Sequence, residues 1–97
     1  MSKRTRYLVC YDIADPKRLR KVAKSCESYG SRIQYSVFEC PLDSLRYQQM
    51  RAELDELIHH DNDQILFVSL GLETSKNTFR IESIGQPYTA RSRVTVV

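Results

Sequence analysis

Apolar positions fall into two rhythms along the chain. Residues 7–11, "YLVCY", form an unbroken apolar run, as in a strand covered on both faces. The run meets Asp12, and a helix start follows almost at once. Asp15 can accept from free backbone N–H groups, and Pro16 suits the first helical position. Leu19, Val22, Ala23 and Cys26 then recur at i, i+3, i+4 and i+7, one stripe of a helix that Gly30 should end. "SRIQYSVFECPL" is β-rich and predicts a short strand over residues 32–35 and a second over 37–42. Pro41 leaves one side of the second strand unpaired near its end. Asp43 or Ser44 caps a second helix, with Tyr47, Met50, Leu54, Leu57 and Ile58 on its apolar side. "NDQ" reads as a turn and "ILFVSL" as a second buried strand. "FRIESIG" alternates like a half-exposed edge strand, and "QPYTARSRVTVV" is a tail with a β-prone end.

Two strand–helix–strand units in this order predict an α+β fold. The expectation is a ferredoxin-like sandwich, β-α-β-β-α-β with an additional C-terminal edge strand, and two helices on one face of an antiparallel sheet. A chain of 97 residues forms a single domain over 1–97, with 86–97 as a C-terminal tail or a strand for dimer or partner binding. No internal repeat and no low-complexity tract interrupts it.

Charge changes the picture because it is unevenly spread. The net charge is +3. Residues 1–32 carry nine Lys/Arg against three Asp/Glu, whereas residues 39–63 carry two against seven. That asymmetry suits a basic face for a polyanion and an acidic face for solvent or a basic partner. Lys17, Arg20, Lys21 and Lys24 share one side of the first helix, opposite its apolar stripe. Like charges in a row disfavour a helix, and phosphate contacts would offset this. A solvated face is the plainer alternative. Cys10, Cys26 and Cys40 are an odd count without C-x-x-C spacing, which argues against a disulfide frame or zinc site and for a reducing cytoplasm. No apolar stretch approaches the roughly 20 residues that span a bilayer, so no membrane association is expected. The basic N-terminus lacks the form of a signal peptide.

Few residues are candidates for chemistry. The aromatic-rich pattern of RNA-recognition modules is absent. His59 and His60 read as surface caps of the second helix rather than a chelate, and Ser36 has no local histidine base. Asp12 is different. It ends a buried strand too early to cap the helix, and is either a turn aspartate bonding nearby N–H groups or a functional carboxylate.

"YLVCYDIADPKRLRKVAK", "RIQYSVFEC" and "ILFVSLG" together resemble the CRISPR-associated protein two family, the small subunit of the CRISPR adaptation machinery. The resemblance runs from about Tyr7 to about Gly85 and implies a ferredoxin-like fold. It implies that Asp12 is the metal-binding, catalytic carboxylate, holding Mg2+. Tyr11, Arg18, Arg20, Lys21, Arg32 and Phe38 are the implied nucleic-acid-binding positions, while Ser36 and Glu39 look structural. The family often has two successive arginines in the first helix; here Leu19 replaces the second.

The implied function is integration of new spacer DNA, with magnesium-dependent endonuclease activity on RNA or DNA phosphodiester bonds. The alternative is a non-catalytic nucleic-acid-binding scaffold that bridges dimers of the CRISPR integrase subunit. A homodimer is implied. Asp12 of both protomers would line one shared cleft, since magnesium wants more oxygens than one carboxylate supplies.

Overall fold

A computed structural model describes residues 3–74 and 81–88. The element order is β1 (Thr5–Asp12), α1 (Pro16–Glu27), β2 (Ser31–Gln34), β3 (Val37–Leu42), α2 (Ser44–Leu57) and β4 (Gln64–Leu72). The strands form one antiparallel sheet in the order β2-β3-β1-β4, which places β1 in the middle and β4 on an edge. This is the expected α+β, ferredoxin-like arrangement.

Alternation along β1 divides the sheet into two faces. Tyr7, Val9 and Tyr11 pair with Cys40 and Phe38 of β3 and with Ser69, Phe67 and Ile65 of β4. Most of these join Val22, Cys26, Met50 and Leu54 of the helices in a single core. Leu8, Cys10 and Asp12 point the other way, beside Val37, Glu39, Gln64, Leu66 and Val68. Among the described residues no helix covers that second face. β4 therefore differs from the expected buried strand. It is an edge strand whose Leu66, Val68 and Leu72 are exposed, and an apolar run alone could not distinguish these cases.

The helix starts match the expectation. Asp15 caps α1 by accepting from the Arg18 N–H at 2.9 Å, and Asp43 caps α2 by accepting from the Arg46 N–H at 2.8 Å. The end of α1 differs. The helix stops at Glu27, and Gly30 has no positive φ. A Cβ at Gly30 would stand 2.2 Å from the Glu39 carbonyl oxygen, so glycine is needed there for close approach to β3. Gly71, at φ +101°, does use the left-handed region, where β4 bulges against β1 between Thr5 and Tyr7.

The additional edge strand is not formed where it can be described. Residues 81–85 carry no strand, and Ile81 and Ile84 are exposed. Alternation favours a strand, but among the described residues Ile81 is only partly covered, beside Arg32 and Tyr35, and Ile84 meets no cover. The rest of that segment, 79–80, and tail residues 89–97 lie outside the described residues. His59 and His60 follow α2 instead of ending it, and the His60 Nε2 meets the Asp55 carboxylate at 2.8 Å.

Candidate functional site

Asp12 is the last residue of the central strand, and its exposed side chain stands on the helix-free face. Its carboxylate makes no hydrogen bond or ion pair with any described residue. The turn-aspartate alternative is therefore not realised at Asp12. A different residue does that work. The Asp63 side chain is fully buried; its Oδ1 accepts from the Ala14 N–H at 2.9 Å and its Oδ2 from the His59 N–H at 2.8 Å.

Asp63 also holds Arg18. The Arg18 Nε lies 2.7 Å from Oδ2 and an Nη lies 3.2 Å from Oδ1, a two-pronged pair. The hydrogen bond from Arg18, with those from Ala14 and His59, keeps the Asp63 carboxyl well below the usual carboxylate range. Arg18, expected to contact nucleic acid, thus has its guanidinium already paired with a carboxylate of the fold. Sequence reading missed Asp63, since "NDQ" marks a turn without indicating what the carboxylate would reach.

Two further expectations need correction. Phe38 is wholly buried and Tyr11 is 6 % exposed, so neither presents a face to nucleic acid. Both point into the helix-covered side of the sheet, the reverse of Asp12. The Tyr11 hydroxyl donates to the Tyr35 carbonyl at 3.1 Å, and burial pushes its phenol above the ordinary value. The Tyr11 and Phe38 rings lie 6.2 Å apart. Their place in the motif is explained by support of the strand that ends in Asp12.

Arg32 stays accessible. It is half-buried on edge strand β2, with its guanidinium carbon 5.2 Å from the Phe38 ring centroid and 5.8 Å from that of Tyr35. Arg32 and the exposed Tyr35 line an open groove of about 650 Å³ against residues 81–88. Arg20 and Lys21 are exposed along with Lys17 and Lys24, and none pairs with an acidic side chain among the described residues. Their helix face points away from the sheet. The structure therefore does not gather the candidates in one pocket. Asp12 is on the open face, Arg32 at an edge and the basic row on the outer helix surface.

Among the described residues, no three His, Cys, Asp or Glu side chains come together as a metal cage. The donor chemistry is that of a single free, exposed carboxylate. This fits a hard cation that keeps waters and takes further oxygens from a phosphate or a second carboxylate, which is usual for magnesium. It does not fit a structural metal enclosed by one chain. No helix among the described residues is long and apolar enough to cross a membrane.

The family model for CRISPR associated protein Cas2 matches residues 5–78. A protein of Rhodospirillum rubrum named CRISPR-associated endoribonuclease Cas2 1 is 38% identical over 91 residues, covering 94% of this chain and 88% of that one. The crystal structure of Streptococcus pyogenes Cas2 superposes with a TM-score of 0.70 at 38% identity, covering 82% of this chain and 99% of that chain. A chain in a partial Cas6-RT-Cas1–Cas2 complex gives a TM-score of 0.65 at 29% identity, with coverage of 90% and 97%.

Proposed function

Since this chain belongs to the CRISPR-associated Cas2 family, we propose that it acts in CRISPR adaptation as a nucleic-acid-binding homodimer partnered by an integrase, and that it is a magnesium-dependent endonuclease. The observation that carries the nuclease reading is the Asp12 carboxylate, exposed and unpaired among the described residues at the end of a central strand whose other side chains are buried or half-buried. Among the described residues such a group has no bonded partner and so no structural task. The name of the Rhodospirillum rubrum relative supports hydrolysis of phosphodiester bonds.

Asp12 would hold the magnesium ion, together with phosphate oxygens and water. The ion's contribution is to stabilise charge on the phosphate and acidify a bound water. The protein's own part is to present the carboxylate on a rigid strand. Arg20 and Lys21 bind phosphate without reading bases, since they are solvated cations on a helix surface and phosphate contacts carry no sequence information. Arg32 supplies a further cation beside an exposed aromatic ring.

The open face supports the homodimer. Leu8, Cys10, Val37, Leu66 and Val68 form an apolar surface that runs up to Asp12. A twofold contact through it would bring two copies of Asp12 towards one axis and supply a second carboxylate. The two carboxylates would repel without metal, and protons would compete with metal at acidic pH. The tail, residues 91–97, is β-prone and would extend a sheet of the other protomer or of the integrase. Similarity to a chain of the partial Cas6-RT-Cas1–Cas2 complex supports that partner.

The test compares wild type with Asp12→Asn in a magnesium-dependent nuclease assay and a spacer-acquisition assay. Cleavage should fall to background. Full cleavage by the variant would remove Asp12 from catalysis. Loss of cleavage with acquisition intact would favour the second reading, a scaffold bridging integrase dimers, for which the exposed basic row of α1 is the supporting feature.

A further inference from the structure

The Asp12 side chain makes no hydrogen bond or ion pair among the described residues, so within them its position is set by the backbone beneath it. That backbone is held by two consecutive residues. Gln64 pairs with Asp12 across the β1–β4 ladder. Asp63 then takes the N–H of Ala14, in the middle of the three-residue turn between β1 and α1. The same carboxylate accepts from the His59 N–H in the α2–β4 connection and from both prongs of Arg18 in the first turn of α1. Arg18 in turn gives its backbone N–H to the helix cap Asp15. One buried carboxylate therefore ties three segments to the end of the strand that carries Asp12.

We propose that Asp63 and Arg18 are positioning residues for the Asp12 carboxylate, acting through the β1–α1 turn. The inference rests on the reading of Asp12 as the metal-binding group. A planar guanidinium suits the task because its fork meets both carboxylate oxygens in a fixed orientation, whereas an ammonium is a single point charge. A cation on α1 that looks from sequence like a phosphate contact is instead spent on geometry. Its removal should affect the chemical step and the metal, not the affinity for nucleic acid.

The experiment uses the full chain and four variants: Asp12→Asn, Asp63→Asn, Arg18→Gln and Arg18→Lys. Nuclease kinetics, calorimetric titration with manganese alone, and hydrogen exchange at the Ala14 amide are measured on each. Thermal melts select the folded variants, and the two Arg18 substitutions carry the test if Asp63→Asn does not fold. Asp63→Asn and Arg18→Gln should lower kcat and manganese affinity by about 10- to 100-fold, the range for outer partners of a metal site. KM for nucleic acid should stay within about twofold, since the two side chains are engaged with each other rather than offered to a phosphate. Ala14 exchange should accelerate in both, and Arg18→Lys should recover part of every change. If Asp12→Asn abolishes cleavage and manganese binding while Asp63→Asn or Arg18→Gln, folded, leaves both at wild-type values, the positioning role is overturned and Asp12 stands. If Arg18→Gln raises KM alone, Arg18 is a substrate contact and the inference is wrong. If Asp12→Asn itself leaves both measurements unchanged, the reading of the site fails and the inference falls with it.

Discussion

On the helix-covered face of the sheet, Tyr11 and Phe38 are 6 % and 0 % exposed; on the open face, Leu66 and Val68 are 48 % and 44 % exposed. All four belong to strands, and all four are the kind of residue that strands favour. The difference comes from a period of two crossed with a one-sided helix layer. Tyr11 and Asp12 are neighbours in sequence, yet one side chain supports the core and the other reaches solvent. A run of motif residues is therefore not a contiguous site. Half of the "YD" pair shapes the strand, and the other half is left exposed, free for the chemistry we propose for it.

The sharpest test of that division is stability. Phe38→Ala empties a wholly buried position and should destabilise the fold by about 3–5 kcal/mol. Asp12→Asn alters an exposed, unbonded group and should stay within about 0.5 kcal/mol. Urea denaturation of both proteins checks this. A comparable loss from Asp12→Asn would mean that the carboxylate has a structural partner after all.

The open face should respond differently. Lysine at Leu66 and Val68 together would leave the monomer folded but forfeit roughly 1.5–3 kcal/mol for each side chain that a dimer buries. Sedimentation should then show monomer at concentrations where wild type is dimeric. Unchanged association would place any dimer contact elsewhere, and the pairing of two Asp12 groups with it.

The basic row of α1 lies outside both faces, and its expected effect is smaller. Replacing Arg20 and Lys21 with glutamine should weaken binding to unrelated sequences alike. It should also reduce the slope of log affinity against log salt by about 2 for each protomer that contacts the nucleic acid, because each phosphate that a cation neutralises adds about 0.9 to that slope. An unchanged slope would exclude this helix as the binding surface. Arg18→Gln, by contrast, should not change the slope.

The smallest effect belongs to His60 on the loop after α2. The Asp55 carboxylate beside it raises the imidazole above its ordinary value. A raised folded value adds stability that is complete below the unfolded value, about 6.5, and is lost as pH rises through the folded value. His60→Gln should therefore lower Tm more at pH 5.5 than at pH 8.5. Equal shifts at both pH values would show that the pair is not electrostatic in solution.

Much of the fold is legible in the sequence. The caps Asp15 and Asp43, the apolar stripe of α1 and the bounds of β3 follow from local rules, because hydrogen-bond valence and periodicity act over a few residues. The motif also marks Asp12 as the aspartate to watch. Other assignments depend on distance in space. Gly30 reads as the end of a helix, but its reason is a β3 carbonyl that comes within contact range only on folding. "ILFVSL" reads as an interior strand, but sheet order leaves it at an edge.

The roles of the charged residues divide along the same line. From sequence alone, composition and spacing determined that α1 carries a basic row and that an aspartate closes the first strand. Only the tertiary structure decided which cations remain free. Arg18 and Arg20 are two residues apart and identical in chemistry. Arg18 is claimed by Asp63, 45 residues further on, and Arg20 is left to solvent. A charge can be read from sequence, but whether it is already neutralised depends on partners that the chain brings together only when it folds.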